Sequence, residues 1–369
     1  MGLKVKNVVC GLSLVALVIS ATGFAAGASA TGAAATLKQA KADVAKLLVR
    51  PTVLSVPALP KKPPTGKTVD FMACGVPSCQ AYGTILANAA AKVGWKVQVI
   101  QVGLTPAAAT AGYDQAVINK PAGVIGSGGF PPSLLANQLR ELNALRIPVI
   151  LQAVPSKGGA TGALLTSATY YGYGKELGEW ILANSKVKNA HVAMFEATGL
   201  SIYLSTESAI KQTLAPCTSC SVSTVPFDFT TSGTTLPAAV VVYLKANPST
   251  NYLFFDFSGA VDGVPAALQS AGITGVKILT TDTTTTESAY LKNGQENVAA
   301  GIPWPEVLWG DLNAVMRYDM KLPVAPALNV HFPNMLLTGA NLPPATTGGI
   351  VPLIGNYKSI FEKAWHVGG

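Results

Sequence analysis

The feature that most constrains this chain is an alternation. From residue 68 onward, short apolar runs rich in β-branched residues exchange regularly with amphipathic stretches of helical period. The first series predicts strands over 68–74, 96–102, 122–126 and 148–153, with helices over 79–93, 107–119 and 133–145 between them. A helix over 173–184 opens a second series, with strands over 191–196, 221–227, 252–257, 276–281 and 297–302. Its intervening helices are expected over 203–214, 236–247, 261–271 and 287–293, and a long helix over 307–320 closes it. Strands joined by helical crossovers must run parallel, because only antiparallel neighbours can be joined by a tight hairpin. The expectation is therefore an α/β chain with parallel sheets flanked by helices, divided into two lobes. A single closed (β/α)₈ barrel is the alternative that the strand number allows.

The N-terminus has a different composition. Lys4 and Lys6 precede an uncharged, mostly apolar stretch over 8–26, and Ala28-Ser29-Ala30 supplies small residues for cleavage. This predicts a secretory signal peptide over 1–30, with an uncleaved membrane anchor as the alternative. Residues 31–67 read as a basic, Pro-rich arm: a short helix near 37–49 that Pro51 stops, then extended linker. Of 26 basic and 18 acidic residues, Lys38, Lys41, Lys46, Arg50, Lys61, Lys62 and Lys67 fall in the arm against Asp43 alone. The body from Val69 onward is balanced, which argues against nucleic acid as a partner. The arm is expected to be a solvated tether that ligand binding does not need.

Export decides how the cysteines are read. Cys74 and Cys79 form one close pair and Cys217 and Cys220 another. In an oxidising compartment two local disulfides are expected. A zinc site would need further ligands, and His191, His331 and His366 are scattered. No metal and no cofactor are expected.

In open parallel sheets ligands bind beyond the C-terminal ends of the strands. That rule selects 75–78, 128–130, 152–154, 196–198, 227–229, 256–258, 282–283 and 304–306, a set rich in aromatics and poor in cations. The run GVIGSGGF at 123–130 lacks the Lys-Ser/Thr of a phosphate loop and reads as a tight turn. No G-x-S-x-G occurs. Glu196, Asp256, Asp282 and Glu306 have the chemistry for a glycosidase pair, and equally for accepting hydrogen bonds from a bound ligand; binding is the reading taken. Trp304, between Pro303 and Pro305, is the candidate for stacking on a ligand ring.

Several stretches carry a family resemblance: YYGYGKELGEWIL opening the second series, FFDFSGAVDGVPAALQSAGI with Asp256, VKILTTDTT with Asp282, VAAGIPWPEVLWG with Trp304 and Glu306, and the tail YKSIFEKAW. Together they resemble the periplasmic sugar-binding proteins related to ribose-binding protein, the type I solute-binding proteins of ABC importers. The resemblance covers most of 68–322. It departs where those sugar binders place Asp-Arg, here Gln152-Ala153-Val154, and where they place an arginine, here near 204–206. These losses, with Tyr82, Phe130, Tyr170, Tyr171, Phe229 and Trp304, point to a less polar, aromatic or substituted-sugar ligand.

The resemblance implies the type I periplasmic-binding-protein fold: one lobe over 68–168 completed by about 303–325, a second over 169–302 completed by part of 326–369, and a hinge between them. It implies a non-enzymatic, monomeric, extracytoplasmic protein that delivers a small molecule to ABC transporter permease subunits. Its expected ligand-binding residues are Val76, Ser78, Tyr82, Phe130, Gln152, Tyr170, Tyr171, Glu196, Thr198, Phe229, Asp256, Phe257, Asp282, Trp304 and Glu306. A ligand sensor for a membrane receptor, an exported glycosidase-type hydrolase and a structural envelope protein are the alternatives.

Overall fold

The computed structural model describes residues 25–103, 105–126, 130–154 and 159–368. The greater part of the expected signal peptide, residues 1–24, lies outside them. Helix α1 (Ala25–Leu47) leads to a long extended segment and then to the first α/β unit: β1 (Thr68–Cys74), α2 (Pro77–Lys92), β2 (Lys96–Gly103), α3 (Pro106–Asn119), β3 (Gly123–Gly126), α4 (Ala136–Ala144) and β4 (Val149–Leu151). The second unit holds α5 (Ser167–Ser185), β5 (His191–Ala197), α6 (Leu204–Leu214), β6 (Ser221–Phe227), α7 (Leu236–Ala246), β7 (Tyr252–Phe255), α8 (Val264–Ser270), β8 (Lys277–Thr281), α9 (Thr285–Lys292) and β9 (Val298–Gly301). Then follow α10 (Trp304–Asp319), α11 (Ala325–Leu328), β10 (Met335–Leu337) and α12 (Tyr357–Ala364).

The local sequence explains the element boundaries. Pro77 starts α2 directly after extended Val76, where a missing N–H costs nothing. Thr166 and Thr169 form a capping box on α5, and Thr284 and Glu287 form one on α9. Val69 to Ala73 of β1 are all buried, as a strand covered by helices on both faces requires.

Two open sheets result. The first has the order β2-β1-β3-β4, all parallel. The second has the order β10-β9-β8-β7-β5-β6, parallel except for β10, which runs antiparallel to β9. This excludes the closed barrel. Strand order reverses direction between β1 and β3 in one sheet and between β5 and β7 in the other. Those switch points are where open α/β sheets leave a crevice. Close helix packing supports the second unit: a Cβ on Gly174 of α5 would lie 2.0 Å from the Thr206 carbonyl oxygen of α6.

The chain passes between the units repeatedly. It leaves β4 for α5, then returns from β9 to α10, which packs on α2, β3 and β4. It goes back to the second sheet as β10 and crosses again to α12, whose neighbour Trp365 stacks on Trp309 of α10 with ring centroids 5.1 Å apart. Trp365 Nε1 also donates to Asn313 Oδ1 at 3.2 Å, and Lys92 of α2 pairs with Glu362 of α12 at 2.8 Å. The tail after β10 thus ends on the first unit. Cys74–Cys79 and Cys217–Cys220 are disulfide-bonded.

The arm behaves differently from the solvated tether its charge suggested. Its helix begins at Ala25 rather than near residue 37 and packs on α5, with Ala40 and Val44 buried. Arg50 then donates to the Leu353 and Pro352 carbonyls at 3.0 and 3.2 Å. Leu54 and Leu59 are buried, the Leu59 N–H donates to Ala364 O at 2.8 Å, and Arg317 Nη1 donates to Ala58 O at 3.1 Å. The apolar residues spaced between the lysines are what the charge count concealed. Fully burying one leucine contributes about 1.5–3 kcal/mol. A chain shortened to begin at Lys67 loses Leu54, Leu59 and the Arg50 bonds together, and is expected to melt well below the full chain by differential scanning calorimetry. Equal melting temperatures would return the arm to the status of a tether.

Candidate functional site

The C-terminal ends of both sheets face each other, and the contact between the lobes is built on one carboxylate. Asp282 follows β8 with φ 69°, a left-handed conformation that Asp tolerates better than most residues. Its N–H donates to Ala300 O at 2.8 Å, and its own Oδ1 accepts from the Thr283 N–H at 2.7 Å. Oδ2, on the second lobe, accepts from two side chains packed on the first. Tyr82 of α2 donates its hydroxyl at 3.0 Å, and Trp304, first residue of α10, donates its indole N–H at 2.9 Å. The Tyr82 and Trp304 rings stack with centroids 4.4 Å apart and planes 25° apart. All three side chains are buried. Burial pushes the Asp282 carboxyl up to about 7, and the bonds from Thr283, Tyr82 and Trp304 pull it back only in part.

A second group sits at the switch point between β5 and β7. Asp256, directly after β7, is fully buried and accepts from the Ala197 N–H of β5 at 2.8 Å. Glu196 of β5 and Glu207 from the first turn of α6 lie beside it and beside each other. Burial, more than these neighbours, pushes Glu207 up to about 7 and raises Asp256 well above the usual carboxylate range. Tyr203 lies edge-on to Tyr170 at 5.5 Å and nearly parallel to Phe257 at 6.3 Å. Phe257 in turn lies 6.5 Å from Phe227.

The structure brings together Tyr82, Asp282 and Trp304, and separately Tyr170, Glu196, Asp256 and Phe257. Val76 and Ser78 stand half-buried at the start of α2, beside the Cys74–Cys79 bridge. Phe130 packs half-buried on the first-lobe core, and Phe229 on the second-lobe core. Thr198 is exposed and donates to Phe227 O at 3.0 Å. Three expected residues are engaged otherwise. Gln152 is buried between Asp311 and the Leu165 N–H, a link between β4 and α10. Tyr171 points outward and donates to Gln212 Oε1 at 2.7 Å. Glu306 accepts from the Ile354 N–H at 2.6 Å and anchors the tail.

The post-strand rule missed Tyr203 and Glu207, which lie further from a strand end, on the approach to a helix and in its first turn. It also missed the turn Thr347–Gly349. That turn wedges between the lobes: a Cβ on Gly348 would lie 2.5 Å from Ala81 Cβ of α2, and one on Gly349 would lie 2.1 Å from the Thr285 backbone nitrogen of α9. No carboxylate or helix signal marks it; only the paired glycines did.

No family model matches the chain, and no curated protein matches it. Solved structures do. An ABC sugar transporter subunit from Rhodobacter sphaeroides 2.4.1 superposes with TM-score 0.66 at 17% identity, covering 75% of this chain and 99% of its own. A glucose-galactose binding protein from Geobacillus stearothermophilus gives 0.67 at 12% identity, covering 76% and 100%. A periplasmic ribose ABC transporter structure from Conexibacter woesei DSM 14684 gives 0.64 at 15% identity, covering 76% and 95%.

Two outcomes test this geometry. The Asp282 carboxyl holds its proton in the folded protein up to about 7, whereas in the unfolded chain it loses it near 3.9. Between those values the folded state binds more protons, so its contribution to stability falls as pH rises. Glu207 and Glu306, each pushed to about 7 by burial, act in the same sense. The melting temperature is therefore expected to fall between pH 5 and pH 8, and Asp282→Asn is expected to make that fall smaller. An unchanged or steeper fall in the variant would remove Asp282 from the account. For the turn, Gly349 has φ 81° and no room for a Cβ. Gly349→Ala is expected to cost more than about 1 kcal/mol in urea unfolding and to enlarge the radius of gyration in small-angle scattering; an unchanged radius would show that the turn does not hold the lobes together.

Proposed function

From the two-lobed fold of the type I periplasmic binding proteins, which this chain adopts, we infer that it is an extracytoplasmic solute-binding protein. It captures a small organic molecule between its lobes by hinge closure and presents the closed form to the permease of an ABC uptake system. The observation that carries this reading is the Tyr82–Asp282–Trp304 contact, because it joins side chains of both lobes at the C-terminal ends of both sheets. A buried acceptor flanked by two donors and two stacked rings can exchange those partners for a ligand's hydroxyl or amine and its apolar face. Binding and closure require no covalent chemistry, and no residue is assigned a catalytic role. The glucose-galactose binding protein and the ribose transporter component among the structural neighbours support a solute of that size. Residues 1–30 are read as the export signal.

Trp304 is the residue on which this reading turns. Stacking on a ligand ring contributes on the order of 1 kcal/mol beyond area burial. Trp304→Ala is expected to weaken binding by ~1–3 kcal/mol, roughly 5- to 150-fold. It also deletes a contact between the lobes, so the ligand-free protein should scatter as a more open particle. The measurement is a thermal-shift screen over sugars, aromatic acids and amino acids, followed by calorimetry of the best ligand on both proteins. Undiminished affinity in Trp304→Ala would reduce the residue to a packed hinge side chain.

A further inference from the structure

The second-lobe switch point buries more carboxylate than its surroundings satisfy. Among the described residues, Asp256 Oδ1 and Glu207 Oε1 are buried and meet no donor. Asp256 is wholly inaccessible and Glu207 is 2% exposed. Glu196 lies beside Glu207 and adds a further carboxyl to the group. The cation paired with this group is the exposed Lys211, one helical turn along α6, at 3.8 Å from Glu207 Oε2. Asp282 differs, since its oxygens already receive Thr283, Tyr82 and Trp304. The rings of Tyr170, Tyr203 and Phe257 close over the same place.

This arrangement has a chemical direction. Buried carboxylates that outnumber the one exposed lysine beside them must take a proton or a further positive partner. Aromatic faces are negative and attract cations, most strongly where water is excluded. An anionic ligand would meet three carboxyls there against the single exposed Lys211. Among the described post-strand positions no lysine or arginine occurs, although the body of the chain is balanced in charge. The acids also sit where the strand order reverses, which is the ligand crevice of such a sheet.

We propose that the cleft takes a solute bearing an ammonium group, amine or quaternary, which seats against Asp256 and Glu207 beneath Tyr203 and Phe257. This rests on the solute-binding reading above and narrows its ligand class. The seated cation replaces the proton that burial holds on Glu207, and that proton leaves to solvent. Affinity therefore rises with pH through about 7, where burial has placed Glu207. The titratable groups facing the seat are Glu196 on β5, Glu207 and Lys211 on α6, Asp256 after β7, Asp282 after β8, and Tyr170 and Tyr203.

The test uses matched probes on the full chain by calorimetry: choline against its uncharged analogue with carbon in place of nitrogen, and glucosamine against glucose. The charged member of at least one pair is expected to bind about tenfold or more tighter than its neutral match. Asp256→Asn and Glu207→Gln are expected to erase that preference. Glu196→Gln, at a half-buried position, serves as the third variant where the deeper two do not fold. Neutral members binding as well as the charged ones overturns the proposal, and so does failure of both charged members to bind at about 1 mM. If glucose closes the lobes while the amines do not bind, the ammonium seat falls and solute capture stands. If the amines bind with no change in scattering radius, the seat stands and capture by closure falls.

Discussion

One oxygen atom organises the interface between the lobes. Asp282 Oδ2 accepts from Tyr82 on the first lobe and from Trp304 at the return crossing, and the two donors stack on each other. Breaking the contact leaves a buried carboxylate short of donors, and that penalty exceeds the net gain of an ordinary hydrogen bond. The cleft therefore has a definite closed state rather than a continuum of apposed surfaces. The same penalty makes the contact exchangeable, because a solute that offers equivalent donors removes it. The left-handed backbone at Asp282 fits this account: the chain holds an unfavourable conformation where the side chain's direction matters most.

Burial of acids without cations runs through the molecule. Asp311 is bonded to the amide of Gln152, Glu176 to the amide of Asn334, and Glu306 to a backbone N–H. In each case the carboxylate fixes a junction: β4 to α10, α5 to the segment before β10, and the head of α10 to the tail. These junctions lie at or next to passages of the chain between the lobes. Neutral amide and backbone donors set their geometry without the long, mobile side chains that ion pairs would require. Among the described residues, a buried oxygen without a donor is common to Asp311, Glu176, Glu306, Asp256 and Glu207; the cleft acids Asp256 and Glu207 differ in lying beside each other and beside Glu196 at the strand-order switch.

The alternation of strands and helices was legible because buried parallel strands and amphipathic helices have different periods, and because a helical crossover forces parallel pairing. β1 and β6 have the bounds expected of them, and β5 runs one residue further, to Ala197. Three things were not legible. The arm's helix shows an apolar stripe through Ala40 and Val44, but Leu54 and Leu59 beyond it also decide where the arm lies, and their spacing follows no period that local sequence marks. Glu306 and Gln152 sit at the right strand ends, but their partners, Ile354 and Asp311, come from segments that local sequence cannot bring near. Tyr203 and Glu207 were hidden for the converse reason: the strand-end rule stops short of the approach to α6 and its first turn.

Both ends of the chain bear on how the lobes can move. Helix α1 lies on α5 of the second lobe, and the segment that follows it is tied to the first lobe through Leu59, Arg317 and Trp95, whose indole N–H donates to Pro64 O at 2.5 Å. The tail makes the same crossing, from β10 on the second sheet through the wedged turn Thr347–Gly349 to α12 on the first lobe. Arg50 joins the two straps by its bonds to Pro352 and Leu353, and Asn341 joins them again by donating to Leu48 O at 2.8 Å. A rotation that separates Tyr82 from Asp282 must therefore also lift the turn from Ala81 or from Thr285. In the hinge motion proposed for solute capture, opening would be a concerted event, with cleft and turn released together. Coupling of that kind sharpens the difference between open and closed populations, because partial opening loses the contacts of both places without freeing the cleft.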